Sequence, residues 1–131
     1  MPYWGLVATS VGFLLPGIWA WRRRAWLDVG ASAVVTFTSV AYHSTQHPMA
    51  HAIDVAIAHT CGAIGIVRSV ASAVRRRSRR QAAIAVNTMV SIAIYLVKSR
   101  NNTRASSARW HMLFHVMCQS SWLAHVRLKL I

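Results

Sequence analysis

The sequence predicts an all-α integral membrane protein, a single domain over residues 1–131 with five transmembrane helices. Hydrophobic residues make up 55% of the chain and charged residues 13%, a balance typical of membrane-embedded proteins. The apolar residues form five segments, each close to the length of about 20 residues that crosses a bilayer. The basic residues lie mostly between these segments, as expected for loops that flank spans.

The five predicted spans differ in composition. The first, at 3–21, begins and ends in aromatic residues suited to the membrane interface, and Pro16-Gly17 predicts a kink inside it. The second, at 26–43, is rich in Ala, Ser, Gly and Thr, which permit close helix packing in lipid. The remaining spans are predicted at 51–74, 81–97 and 110–126.

Two charged residues fall inside predicted spans near their basic ends. We expect Asp28 to pair with the neighbouring run Arg22–Arg24. We expect the long side chain of Arg68 to extend to the membrane interface.

The loops carry unequal charge on the two sides of the membrane. One side has ten Lys and Arg, in 22–24, 75–80 and 127–129, whereas the other has four, in 98–109. The positive-inside rule therefore predicts that the richer side faces the cytoplasm, the mitochondrial matrix or the plastid stroma. We accordingly expect an endomembrane or an organelle inner membrane, with Asn101 of an Asn-x-Thr pattern on the opposite side as a possible glycan acceptor.

The formal charge of +13 also raises nucleic-acid binding as a function, and 75–80 resembles a nuclear signal. Because these arginines lie between apolar segments, insertion into a membrane explains them better. We therefore predict membrane lipid, and no nucleic acid, as a partner. The two cysteines, Cys61 and Cys118, both lie in apolar segments, which argues against a disulfide framework.

Five polar residues in or next to the predicted spans are the candidates for function, because such groups are costly at membrane depth. They are Ser39, His43, Asp54, His111 and His115. The spacing of four residues puts the first two on one helix face, and the two late histidines likewise. The predicted topology brings all five to the same side of the membrane. The simpler alternative is that they hydrogen-bond between helices and fix their packing.

The residue types in this group point to hydrolytic metal chemistry. Three neutral imidazoles, those of His43, His111 and His115, form a ligand set suited to zinc and leave one position for water. Asp54 is a candidate to accept a proton from that water or to orient a histidine. Ser39 is a candidate to donate a hydrogen bond to a developing oxyanion.

Other potential ligands have simpler explanations. His47 and His51 continue the spacing from His43, but Pro48 breaks the helix between them, so we expect them at the interface. His59 is expected to form a packing hydrogen bond, since a bis-histidine haem needs a second imidazole that the sequence does not clearly offer. Cys118 lies seven residues after His111, and burial as a small apolar side chain explains it better than a role in the site.

The combined pattern resembles a known superfamily. Ser39-x3-His43, Asp54 eleven residues later and His111-x3-His115 are similar to the motifs of the alkaline ceramidases, adiponectin/progestin receptors and Per1-like hydrolases, together called CREST. The resemblance implies zinc held by the three histidines, with Ser39 and Asp54 beside it. It also implies hydrolysis of a lipid amide or ester, with ceramide as the closest substrate class. Members usually have seven spans, whereas five are predicted here, and the two helices between Asp54 and the late histidines are missing.

The small size and the missing helices favour a second interpretation. The chain could instead be a non-catalytic structural subunit of a larger complex, for example in an organelle inner membrane, that retains the metal site. A lipid or haem carrier is a third and weaker possibility.

Overall fold

A computed structural model describes residues 4–100 and 104–128, and within these ranges the chain is helical apart from short turns, without a strand. The all-α prediction is therefore confirmed. The helices are α1 (Trp4–Val11), α2 (Leu14–Arg22), α3 (Trp26–Thr45), α4 (Pro48–Arg76), α5 (Arg79–Arg100) and α6 (Arg104–Leu128).

The helices form a closed ring of five units. α1 and α2 follow each other as one unit over Trp4–Arg22. This unit packs against both α3 and α6, and the ring is completed by contacts of α3 with α4, α4 with α5, and α5 with α6. The five units correspond to the five predicted segments, so residues that point into the ring from any helix can meet near its axis.

Three of these units are long and apolar enough to cross a membrane, namely Trp4–Arg22, Pro48–Arg76 and Arg79–Lys98. They indicate a membrane protein. α3 and α6 have sufficient length, 20 and 25 residues, but contain more polar residues. In α3 most of the buried residues are polar, among them Asp28, Ser39 and His43. Much of the polarity of α3 therefore lies in the interior of the bundle.

The break in the first unit lies at Gly12–Phe13, which corrects the prediction of a kink at Pro16-Gly17. Proline lacks the N–H that would bond the carbonyl four residues earlier, and its ring crowds that carbonyl. For Pro16 the affected carbonyl is that of Gly12, which instead accepts from the amide of Leu15 at 3.1 Å. The proline thus acts one turn before its own position.

Neighbouring helices satisfy the backbone at this break. The hydroxyl of Ser32 on α3 donates to the carbonyl of Phe13 at 2.5 Å. The side-chain amide of Gln119 on α6 donates to the carbonyl of Thr9 at 2.5 Å. Irregular backbone at membrane depth is tolerated where protein groups replace the lost hydrogen bonds, and this break meets that condition.

Candidate metal centre

Three imidazole rings meet inside one end of the bundle. The ring centroid of His43, from α3, lies 5.0 Å from that of His111 and 5.5 Å from that of His115, both from α6. The two rings of α6 are 4.7 Å apart, as expected for residues one helical turn apart. We refer to these residues as the three-histidine cluster.

The cluster is largely buried, and one of its nitrogens has no hydrogen-bond partner among the described residues. His43 and His115 are 1% and 3% exposed, whereas His111 is only partly buried. The Nε2 atom of His43 is buried without a hydrogen-bond partner among the described residues. A buried nitrogen in this state calls for an explanation, because an unpaired polar atom inside a protein is costly. Approach to the cluster is easiest beside His111.

The nitrogen positions suit one metal ion. One ligand nitrogen from each histidine lies within 4.8 Å of the other two. A tetrahedral zinc, with bonds of about 2.0–2.1 Å, holds its nitrogen ligands roughly 3.3 Å apart, so small rotations of the rings are sufficient. The unpaired Nε2 of His43 is one of the atoms that such an ion would satisfy. Three buried histidines therefore lie close enough to bind a metal ion.

A threonine of α1 determines which nitrogen of His115 carries the hydrogen. The hydroxyl of Thr9 donates to the carbonyl of Leu6 at 3.1 Å, and it also lies 3.1 Å from Nδ1 of His115. A hydroxyl has a single hydrogen, so both bonds form together only if Nδ1–H of His115 donates to Thr9. Nε2 of His115 then keeps its lone pair for a metal. Sequence reasoning missed Thr9, because a single threonine in an apolar span has no recognisable pattern.

Asp54 is held against α3 by two hydroxyl groups. Thr38 donates to one of its carboxylate oxygens at 3.2 Å, and Ser39 donates to the other at 3.5 Å. Ser39 is one turn before His43, so the α3–α4 hairpin brings this carboxylate near the cluster. In the described part of the chain Asp54 forms no hydrogen bond to any of the three histidines. From the sequence, Ser39 was a candidate to donate a hydrogen bond to an oxyanion. In the structure its hydroxyl donates to Asp54 instead, at a distance that is long for a hydrogen bond.

Two tyrosines pack against the cluster, one on His43 and the other on His111. The ring of Tyr95 on α5 lies 4.9 Å from that of His111 and stacks on Phe114 at 4.8 Å. The ring of Tyr42 lies 4.7 Å from His43. The ring of Tyr95 therefore packs against the cluster, a contact that the sequence analysis did not identify.

His47 and His59 make local contacts within their own segment, whereas the ring of His51 lies 4.6 Å from that of Tyr42, next to the cluster. α3 ends at Thr45 and α4 begins at Pro48, as Pro48 predicted. His47 caps α4 through its ring, which accepts from the amide of Met49 at 3.2 Å. His59 is exposed and its ring bonds the carbonyl of Val55, within its own helix.

Comparison with known proteins finds no matching protein family, no similar curated protein and no similar solved structure.

A second polar group occupies the opposite end of the bundle, and we call it the ion-pair cluster. Arg68 of α4 donates two hydrogen bonds to Asp28 of α3, at 3.0 and 3.1 Å. The indole N–H of Trp122 donates to the same carboxylate at 3.3 Å. On the adjoining helices, His125 lies 3.1 Å from both Ser69 and Gln81 through Nδ1. Four helices are linked by these contacts.

This cluster corrects two predictions about charged residues. Asp28 was expected to pair with the run Arg22–Arg24, and Arg68 to extend to the interface, but each is the partner of the other. The reason is geometric, because α3 and α4 are antiparallel neighbours and Asp28 near the start of one faces Arg68 near the end of the other. A two-point guanidinium–carboxylate contact is also stronger than a single exposed one.

Proposed function

We propose that this protein is a membrane-embedded zinc hydrolase that cleaves an amide or ester bond of a lipid. Ceramide is the substrate class favoured by the resemblance to the CREST superfamily. The observation that carries the proposal is the convergence of one nitrogen each from His43, His111 and His115 within 4.8 Å in a bundle with membrane-length apolar helices. Three nitrogen ligands leave a fourth tetrahedral position available.

Around these ligands the protein supplies groups for proton transfer and positioning. When bound, zinc supplies Lewis acidity and lowers the pKa of a coordinated water to about 7. The carboxylate of Asp54 is the proton acceptor, and Thr38 and Ser39 hold it in place on α3. The phenol of Tyr95 is a hydrogen-bond donor for the carbonyl oxygen of the substrate, since its ring lies 4.9 Å from that of His111 on the partly exposed side.

The decisive experiment compares turnover and zinc content in the purified protein. We expect zinc-dependent release of fatty acid from ceramide. Asp54→Asn should reduce this release at least about 100-fold and leave the zinc bound, because the carboxylate acts on a proton and is not required as a ligand. Thr60→Val is a suitable control, since Thr60 is exposed and donates to the carbonyl of Ala56 within its own helix.

Two results would contradict the hydrolase. One is a protein that binds zinc stoichiometrically but turns over no acyl lipid. The other is turnover that persists unchanged after zinc is removed by chelation.

A non-catalytic subunit of a larger membrane complex is the second candidate. It is favoured by α4, whose 18-residue apolar window is only 6% buried inside the bundle. Lipid or partner helices must cover this surface. If the chain is a subunit, the native protein should purify in stoichiometric amounts with other membrane proteins, and Asp54→Asn should change assembly without altering lipid turnover.

We further propose that the arginine-rich end of the bundle faces the cytoplasm, the matrix or the stroma, as the positive-inside rule predicts. Single cysteines introduced into a variant lacking Cys61 and Cys118 test the orientation. Ser78→Cys should react with an impermeant reagent added from the cytoplasmic or matrix side, and Asn102→Cys only from the other side. Asn101 and Asn102 lie outside the described residues. Labelling of Asn102→Cys from the cytoplasmic side would reverse the proposed topology.

A further inference from the structure

An apolar groove lies between α2 and α3, in the half of the bundle away from the three-histidine cluster. Its volume is about 280 Å³. The walls are Leu14, Ile18 and Trp21 of α2 with Val29 and Ala33 of α3, and Arg22 closes one end. The groove is just below the roughly 300–1,000 Å³ of pockets that hold whole small molecules, so it suits one extended chain.

The floor of the groove is formed where the two helices come closest. A Cβ atom added to Gly17 would overlap the hydroxyl of Ser32. Because the side chains at this contact are small, they do not fill the space between the two helices. The outer walls stay open, since Ile18 is 51% exposed and Trp21 is 61% exposed.

The length and direction of the groove match one leaflet of a bilayer. It follows α2 from Leu14, in the middle of the unit Trp4–Arg22, to Arg22 at its end. The eight steps along the helix from Leu14 to Arg22 cover about 12 Å. Half of a hydrocarbon core of about 30 Å is about 15 Å, so an acyl chain in the groove would extend from headgroup level almost to the midplane.

Positive charge is concentrated around Trp19, and Arg22 connects this group to the end of the groove. The guanidinium groups of Arg22, Arg23 and Arg127 lie 5.9, 5.6 and 4.5 Å from the centre of the Trp19 ring. The chain has 2 acidic residues for 15 Lys and Arg, and the acid at this end, Asp28, is already bound by Arg68. Three gathered cations repel one another unless an anion lies among them, and guanidinium groups bind phosphate well.

We propose that the groove and these three arginines together bind one anionic phospholipid, with an acyl chain between α2 and α3 and the phosphate among Arg22, Arg23 and Arg127. A lipid is favoured over a free phosphate ion because Arg22 both lines the apolar groove and belongs to the group of three arginines. The site is independent of zinc and of lipid hydrolysis, and it rests only on insertion of the helices in a membrane.

The first test measures lipid retention by the purified protein in detergent, using native mass spectrometry. Phosphatidylglycerol and phosphatidylcholine with identical acyl chains are the two probes. We expect phosphatidylglycerol to bind at least about tenfold more tightly, since each nearby Lys or Arg strengthens attraction to anionic lipid. Arg22→Gln/Arg23→Gln should remove this preference. Arg79→Gln/Arg80→Gln removes the same charge from the α4–α5 turn and should leave the preference within about twofold.

A second test begins with the unchanged protein, so the position of its labelling does not depend on how the variants fold. Phosphatidylglycerol with a photoreactive group in its acyl chain should label residues of α2 and α3. Ala33→Leu, which fills the groove, should reduce this labelling severalfold. Equal binding of the two lipids, an equal loss in both arginine variants, labelling mainly elsewhere, or displacement by inorganic phosphate at lipid-equivalent concentration would each overturn the proposal.

Discussion

The two polar clusters of this bundle are alike in burial and differ in how their charges are satisfied. Each contains a buried histidine, His43 or His125, whose Nε2 has no hydrogen-bond partner among the described residues. In the ion-pair cluster, however, the carboxylate of Asp28 meets a matched guanidinium. In the three-histidine cluster one possible ligand nitrogen from each ring lies within 4.8 Å of the other two, and the described residues form no ion pair there. A single histidine, such as His125, offers a metal one ligand, whereas the three histidines of the other cluster lie close enough to bind one ion together.

α6 contributes to both clusters from a single face. His111, His115, Trp122 and His125 follow at spacings of four, seven and three residues, which keeps them on one side of a helix. The chemistry at each end is therefore decided by the helices that α6 meets there. α3 brings an imidazole to one end and a carboxylate to the other.

The largest expected effect separates the two clusters by metal content. His111→Ala should remove most bound zinc, because two nitrogen ligands hold zinc poorly in a site built for three. His125→Ala should leave zinc stoichiometry unchanged although it also removes a buried histidine. Elemental analysis of the purified variants measures both.

His59→Ala serves as the matched control, because His59 is exposed and bonds its own helix. Stoichiometric metal in a triple variant lacking His43, His111 and His115 would show that the ion is bound elsewhere. Loss of zinc in His125→Ala would mean that the two clusters are not independent.

The second expected effect is on stability and should be confined to the ion-pair cluster. Asp28→Asn leaves Arg68 without its charge partner and should lower the free energy of unfolding by about 3 kcal/mol, with zinc content unchanged. Replacing both residues, in Asp28→Leu/Arg68→Leu, should recover most of this loss, since no unpaired charge remains. Denaturation followed by tryptophan fluorescence measures the effect. A double variant no more stable than Asp28→Asn would show that the pair contributes more than its charge balance.

The smallest expected effect concerns the hydrogen bond between Thr9 and His115. Thr9→Val keeps the shape of the side chain but removes its hydroxyl, and zinc affinity should fall about 10–100-fold, as for other hydrogen bonds that orient metal ligands. Thr9→Ser keeps the hydroxyl and should bind zinc nearly as tightly as the parent. Competition with a chelating dye gives the affinities. Equal affinity of the Val and Ser variants would show that Thr9 does not orient His115.

The sequence was sufficient to predict the helical architecture and the meeting of the three histidines. Apolar segments mark the part of a helix that can lie in hydrocarbon, so 51–74 was predicted where α4 covers Pro48–Arg76. Hydropathy does not mark the polar residues at the ends of such a helix, so the predicted span is shorter than the helix. The histidines were predicted to meet because alternating spans bring residues 43, 111 and 115 to one end. Their role as metal ligands, and the roles of Ser39 and Asp54, remain predictions.

Contacts between helices were not predictable from local pattern. Thr9 reaches His115 and Tyr95 reaches His111 only because the ring closes with particular helices side by side. The partnership of Asp28 with Arg68 has the same origin. In each case the sequence reveals that a side chain needs a partner, whereas the packing of the helices selects which one.

Phe13 lies at the break in the first unit and faces the interior of the bundle. Its position affects whether water or protons can pass through the bundle. Its ring lies between the clusters, 5.3 Å from His115 and 6.5 Å from Trp122. A hydrocarbon ring offers neither donor nor acceptor to a chain of water molecules or to a migrating proton. The ring of Phe13 therefore separates the ionisable groups at the two ends of the bundle by an apolar layer. In the membrane orientation that we propose, this layer would hinder the passage of water or protons from one cluster to the other.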